Sequence, residues 1–132
     1  MDFFDQLKTY IETNFTLYKT PLSVGMLIDD NDICIRQTPG IQPEKDMGDG
    51  RHFVYAFQLL TRHKNERLAY QTCEDVALAL DLLRNGAIPS ADDSYQFVTC
   101  NLITPANFVE RDSYGGIFTA LFEADLYLKG SG

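Results

Sequence analysis

The stretch HFVYAFQLLTRH, His52 to His63, constrains this chain more than any other. Phe53, Tyr55, Phe57 and Leu59 fall on one face, and Val54, Ala56, Gln58 and Leu60 on the other. A strict period of two, built from aromatic and β-branched residues, specifies a strand. Because its second face is also rather apolar, the strand is expected at the centre of a sheet, or covered on both sides.

The flanking segments supply the rest of the sheet and its covering layer. Phe3, Phe4, Leu7, Ile11 and Phe15 recur at spacings of three and four, which predicts an N-terminal helix with Asp2 as its cap and Pro21 beyond its end. Pro21–Ile28 reads as a short strand, and DDND, Asp29 to Asp32, as the turn of a hairpin into ICIRQT. After the central strand, Ala69, Cys73, Val76, Ala77, Leu80 and Leu83 or Arg84 recur at helical spacing, and Asn85-Gly86 is the stop signal. SYQFVTCNLITP follows as a strand ended by Pro105, with ANFVERDSYGG as the turn behind it. The last strand, Gly116 to Leu128, places Phe118, Ala120, Phe122, Ala124, Leu126 and Leu128 on one face and Thr119, Glu123 and Asp125 on the other. The order α-β-β-β-α-β-β predicts an α+β domain over residues 1–129. Its sheet, antiparallel or mixed, has about five strands, with two helices packed on one face. Gly130–Gly132 reads as a flexible tail, of the kind an expression vector leaves.

Eleven Lys and Arg against nineteen Asp and Glu give a net charge of −8. That disfavours binding to nucleic acid or to an anionic membrane, both polyanions. Three cysteines, Cys34, Cys73 and Cys100, are odd in number and widely spaced, so buried free thiols in a reducing cytosol are expected. The acidic opening MDFFDQLKTYIETNF does not read as a signal peptide, and no run approaches a membrane span. The expectation is a protein that is soluble and intracellular when made.

Tests for chemistry return little. Gly48-Asp49-Gly50 precedes a strand and is flanked by acids, whereas a phosphate-cradling loop needs spaced glycines before a helix. Asp29, Asp30, Asn31 and Asp32, or Asp46 with Asp49, are the candidates for a metal. The first group puts Cys34 where an EF-hand needs a third oxygen and has no closing Glu, so solvated turn aspartates are the simpler expectation. His52 and His63 stand eleven residues apart on one strand and point to opposite faces. Neither a GxSxG nor a thiol constellation occurs. Glu110-Arg111-Asp112 reads as a surface ion cluster on a loop. We therefore expect no catalytic residue, no cofactor and no metal, and a function carried by surfaces.

The surfaces named by the sequence are three. The first is the long acidic loop TPGIQPEKDMGDG, Thr38 to Gly50, since a patternless loop of this length is either functional or disordered. The second is the polar face of the last strand, and the third is the Tyr114-Gly115-Gly116 turn. Candidate interface residues are Ile41, Gln42, Glu44, Lys45, Asp46, Asp49 and Arg51 around the loop, and Arg111, Asp112 and Tyr114 near the turn.

The whole chain resembles the minor capsid and tail-terminator (head–tail joining) proteins of long-tailed bacteriophages. The resemblance is carried by PGIQPEKDMGDGRHFVYAFQLLTRHKNERLAYQTCEDVALAL and by PANFVERDSYGGIFTALFEADLYL. It implies a structural virion protein at the head–tail junction, made in the host bacterial cytoplasm. Such a protein forms a homohexameric ring that ends the tail tube and meets the head connector and completion proteins, while DNA passes through the lumen without specific binding. The resemblance supplies no catalytic residue, and it implies that Thr38–Gly50 contacts a neighbour or the tail tube. This loop departs from the family in being very acidic. On this reading, deleting Gln42 to Asp49 leaves the fold intact but impairs assembly. Two other readings fit the residues alone: a small α+β binding or regulatory module with an apolar pocket for a protein or small-molecule ligand, or a metal-dependent hydrolase using surface carboxylates.

Overall fold

Two helices share one face of a single mixed sheet, the α+β arrangement expected from the order of the elements. The computed structural model describes residues 1–39, 44–45 and 51–129. Helix α1 spans Phe3–Asn14 and α2 spans Glu66–Leu80; the strands are β1 Ser23–Val24, β2 Asp32–Gln37, β3 Glu44–Lys45, β4 Arg51–His63, β5 Tyr95–Asp112 and β6 Gly115–Leu128. The sheet runs β1-β2-β4-β6-β5, and β3 pairs with the first residues of β4. Among the described residues, only β1 runs parallel to its neighbour.

The alternation in β4 determines where the core lies. Tyr55, Phe57 and Leu59 are buried under the helices, together with Phe3, Leu7 and Ile11 of α1 and Cys73, Val76, Ala77 and Leu80 of α2. Phe3 sits among rings: its centroid lies 4.9 Å from Tyr55 and 5.4 Å from Tyr95, both edge-on. Phe57 stacks on Phe122 of β6 at 4.8 Å. Each such buried aromatic or aliphatic side chain contributes roughly 1.5–3 kcal/mol. The opposite face of the sheet has no helix among the described residues. A small cluster of Cys34, Leu60 and Ile117 under Leu27 covers part of it. β4 is thus central and apolar on both faces, as its sequence requires. All three cysteines are buried and free, and burial pushes their thiols up, Cys34 to about 11 and Cys73 and Cys100 to about 12.

Several elements differ from expectation, each for a long-range reason. Asp2 makes no side-chain cap on α1. Its carboxylate instead accepts from Ser90 Oγ at 2.7 Å and from the Ala91 N–H at 2.8 Å, binding the segment before β5. The expected strand Pro21–Ile28 shrinks to two residues and pairs parallel with β2, Ser23 beside Cys34, instead of forming a hairpin. The cause is Asp32, which is buried and not a solvated turn residue. Its carboxylate accepts from Ser23 Oγ at 2.6 Å, Ile28 N–H at 2.7 Å and Asp29 N–H at 3.1 Å, so the chain winds around it before entering β2. Gly25, at φ +87°, supplies the reversal.

Helix α2 ends at Leu80, before the Asn85-Gly86 stop, so Leu83 and Arg84 lie beyond it. β5 passes through Pro105 and continues to Asp112, and the expected turn shrinks to Ser113 and Tyr114. An edge strand tolerates a missing N–H, and a register irregularity between Thr104 and Asn107 accommodates it. Glu44 and Lys45 form a strand within the segment expected to be a patternless loop. Gly40–Pro43, Asp46–Gly50 and Gly130–Gly132 lie outside the described residues, and with them Ile41, Gln42, Asp46, Asp49 and the expected C-terminal tail.

Candidate assembly surface

β5 is an edge strand of eighteen residues, and its two halves are treated differently. An unpaired edge is a template for adding another strand, and folded proteins usually block it. Here the segment after α2 runs along the first half. Gly86 donates its N–H to Phe97 O at 2.9 Å, and Asp81 Oδ1 accepts the Leu102 N–H at 2.8 Å. Tyr95 Oη donates to Ile88 O at 2.8 Å and pins that segment from below. Past Leu102, among the described residues, the bonds to the β5 backbone come from β6 and from β5 itself, where Asn107 Nδ2 donates to Pro105 O at 2.8 Å.

The open half carries apolar side chains. Ile103, Phe108 and Val109 are each about half exposed (52%, 49% and 48%). Leu82, the residue after Asp81, is 68% exposed, so an apolar residue follows each partner of the Asp81–Leu102 bond. Phe108 is held as it is displayed: its ring lies 5.5 Å from Phe118, edge-on, with the Arg111 guanidinium 5.7 Å above it. Such preorganisation reduces the ordering cost of a contact. Register irregularities between Phe97 and Thr99, Leu102 and Thr104, Thr104 and Asn107, and Phe108 and Glu110 bend the strand. Bends of that kind discourage indiscriminate pairing and leave a shaped edge.

The base of the β5–β6 hairpin is fixed by charge. Arg62 is buried and donates to the carbonyls of Asp29 and Asp30 and to Asp112 Oδ2 at 2.9 Å, while the Tyr114 ring stacks 5.0 Å from its guanidinium. The Tyr114 N–H, with Arg62, outweighs desolvation and holds the Asp112 carboxyl below its ordinary range. Arg111 donates to Glu66 at the start of α2, at 2.7 Å through Nη2, and keeps that carboxyl low as well. Glu110, Arg111 and Asp112 are therefore not a loop cluster: they lie on a strand, and the last two bind other elements. Gly115 and Gly116 belong to β6 rather than to an exposed turn.

The interface residues named from sequence do not form one site. Arg51 pairs with Leu128 and His63 with Gly116, at opposite ends of β4. Glu44, Lys45 and Arg51 thus lie about 40 Å along the strand from Arg111, Asp112 and Tyr114, at ~3.3 Å per residue. The polar face of β6 does carry a network. Asp125 accepts from Thr99 Oγ1 at 2.9 Å and Asn101 Nδ2 at 3.1 Å, and lies 3.3 Å from His52 Nε2. Gln58 links Arg36, at 2.7 Å, to Thr119, at 2.8 Å. His63 packs instead against Tyr18 at 4.8 Å, so the two histidines are indeed separated. Among the described residues no group of three or more His, Cys, Asp or Glu gathers as a metal site.

Sequence reasoning missed Phe108 and Val109 because the expected turn after Pro105 hid the second half of the strand, and Leu82 and Ile103 because nothing local marks that strand as an edge. The signal for the strand's continuation was Ala106 and Phe108, two apart beyond the proline, in step with Cys100 and Leu102 before it. Among the described residues, no helix is long and apolar enough to cross a membrane. No family model matches this chain, and no curated protein matches its sequence.

Proposed function

We propose that this chain is a structural virion protein of the tail-terminator kind, which assembles into a ring, expected to be a hexamer, at the end of a phage tail tube and joins it to the head. The observation that carries this reading is the open half of β5, an unpaired strand edge bearing Ile103, Phe108 and Val109. A monomer gains nothing by displaying such an edge, whereas a ring subunit buries it against its neighbour. The resemblance across the chain supplies the setting: tail tube on one side, head connector on the other, DNA in the lumen. The net charge of −8 suits a lumen through which DNA passes without sticking, since like charges repel. This reading assigns the protein no catalytic residue, no cofactor and no metal. The polar network around Asp125 and Gln58 serves to order the uncovered sheet face.

Electron microscopy of the purified protein, alone and mixed with tail tubes, tests it. The expected result is rings with a central hole, or tubes capped at one end. Uncapped tubes and dispersed single chains would remove the reading.

A further inference from the structure

Among the described residues, the sheet has a second uncovered margin, at β2. β1 covers β2 only at Cys34 and Ile35, and beyond it the strand end at Gln37 borders a groove of about 450 Å³ lined by Met1, Phe4, Val24, Gln37 and Tyr55. Four of these five residues are apolar. The groove lies in the helix layer, because Phe4 belongs to α1 and Tyr55 to the row that faces the helices.

The register sets this groove level with the apolar residues on the other side of the molecule. Gln37 pairs with Phe57, Phe57 with Phe122, and Phe122 with Leu102, all in one row across the sheet. The Leu102 N–H is bonded to Asp81, and Leu82 follows it at the C-terminal end of α2, also in the helix layer. A groove and an exposed leucine therefore occupy opposite edges at the same height and in the same layer. Strand polarity agrees as well. β2, β4, β6 and β5 alternate in direction, so β5 is antiparallel to β2. A copy placed beside the first by rotation about an axis along the strands brings its β1–β2 margin to the β5 edge, with its β2 antiparallel to β5.

We infer that the groove at Met1, Phe4, Val24, Gln37 and Tyr55 receives Leu82 from a second copy of this chain. The contact is heterologous: one edge of each subunit meets the other edge of the next, and such contacts close into rings when the rotation closes. It rests on the ring reading above and adds to it the two surfaces that meet. The groove has ample room for a leucine side chain, being within the roughly 300–1,000 Å³ of ordinary binding clefts.

Cysteine cross-linking of the full chain tests the contact. The native thiols are buried, so a short bismaleimide reads only introduced ones. Leu82→Cys and Val24→Cys are both at exposed positions, where the fold is not at stake. The double variant is expected to give a covalent ladder up to the ring, each single variant monomers only, and a mixture of the two single variants dimers only. Leu82→Asp is expected to abolish the rings while leaving the circular dichroism spectrum unchanged. Rings that form but give no ladder and survive Leu82→Asp would overturn the contact and leave the ring reading standing. Dimers from Leu82→Cys alone would overturn it in favour of a symmetric interface. If no preparation contains rings, with or without tail tubes, both readings fail together.

Discussion

Asp81 accepts the backbone N–H of Leu102 at 2.8 Å and so closes the edge of β5 at the point where the strand changes from covered to open. Before it the segment after α2 shields the edge, and past it Ile103, Phe108 and Val109 are exposed.

Replacing Asp81 with alanine should extend the open edge. The Leu102 N–H loses its partner to water, at a cost of about 1 kcal/mol in urea unfolding. The larger effect should be on association, with turbidity on concentration appearing earlier than for the parent protein. An unchanged concentration dependence would show that the capping bond does not guard the edge.

The two glycines that open β6 should respond differently to alanine. A Cβ on Gly115 would stand 2.3 Å from the His63 carbonyl oxygen, at φ +149°, where neither backbone can yield. A Cβ on Gly116 meets the Glu66 side chain at 2.5 Å, which can move. Gly115→Ala is expected to cost about 2–4 kcal/mol and Gly116→Ala clearly less, measured as denaturation midpoints at constant m. Equal costs would mean that the β4–β6 contact relaxes more readily than the geometry implies.

The loop wound around Asp32 should make stability acid-sensitive. Burial alone raises the Asp32 carboxyl, but the bonds from Ser23 Oγ and from the N–H groups of Ile28, Asp29 and Ile33 outweigh it and hold the group below its ordinary value. A carboxyl lowered in the folded state stabilises above its unfolded pKa of about 3.9, and that contribution is lost as pH falls through the folded value. Asp2 and Glu12 are lowered too and act in the same direction. Urea stability should therefore be steady above about pH 5 with respect to these groups and should decline below about pH 4. Asp32→Asn should cost about 3 kcal/mol at neutral pH and flatten part of that decline. A variant with an undiminished acid limb would place the sensitivity elsewhere.

The buried thiols predict a simple labelling pattern. With Cys73 and Cys100 pushed up to about 12 by burial, a colorimetric disulfide reagent should find almost no reactive cysteine in the folded protein at neutral pH and three after denaturation. Rapid labelling of the native protein would contradict the packing of α2 on β5.

Much of the fold could be read locally. β4 and β6 followed from period-two patterns that keep Phe57 and Phe122 on one face, and the core of α2 followed from the spacing of Ala69, Cys73, Ala77 and Leu80. What escaped depends on partners distant in sequence. Asp2 caps no helix because Ser90 and Ala91 claim its carboxylate. Ser23–Val24 runs parallel because Asp32 winds the intervening chain around itself. Pro105 does not end its strand because that strand lies at an edge, a fact about topology rather than composition. The site was less legible still. Arg111 and Asp112 looked available but are committed to Glu66 and Arg62, whereas Leu82 and Ile103 become neighbours of one hydrogen bond only after folding.

The central claim is that the open half of β5 joins copies of this chain into a closed ring. Native mass spectrometry of the full chain tests it most directly. The account predicts one dominant species with six times the mass of the chain, lost on Val109→Asp without loss of folded structure. A protein that stays monomeric at every concentration, and in the presence of tail tubes, would contradict it.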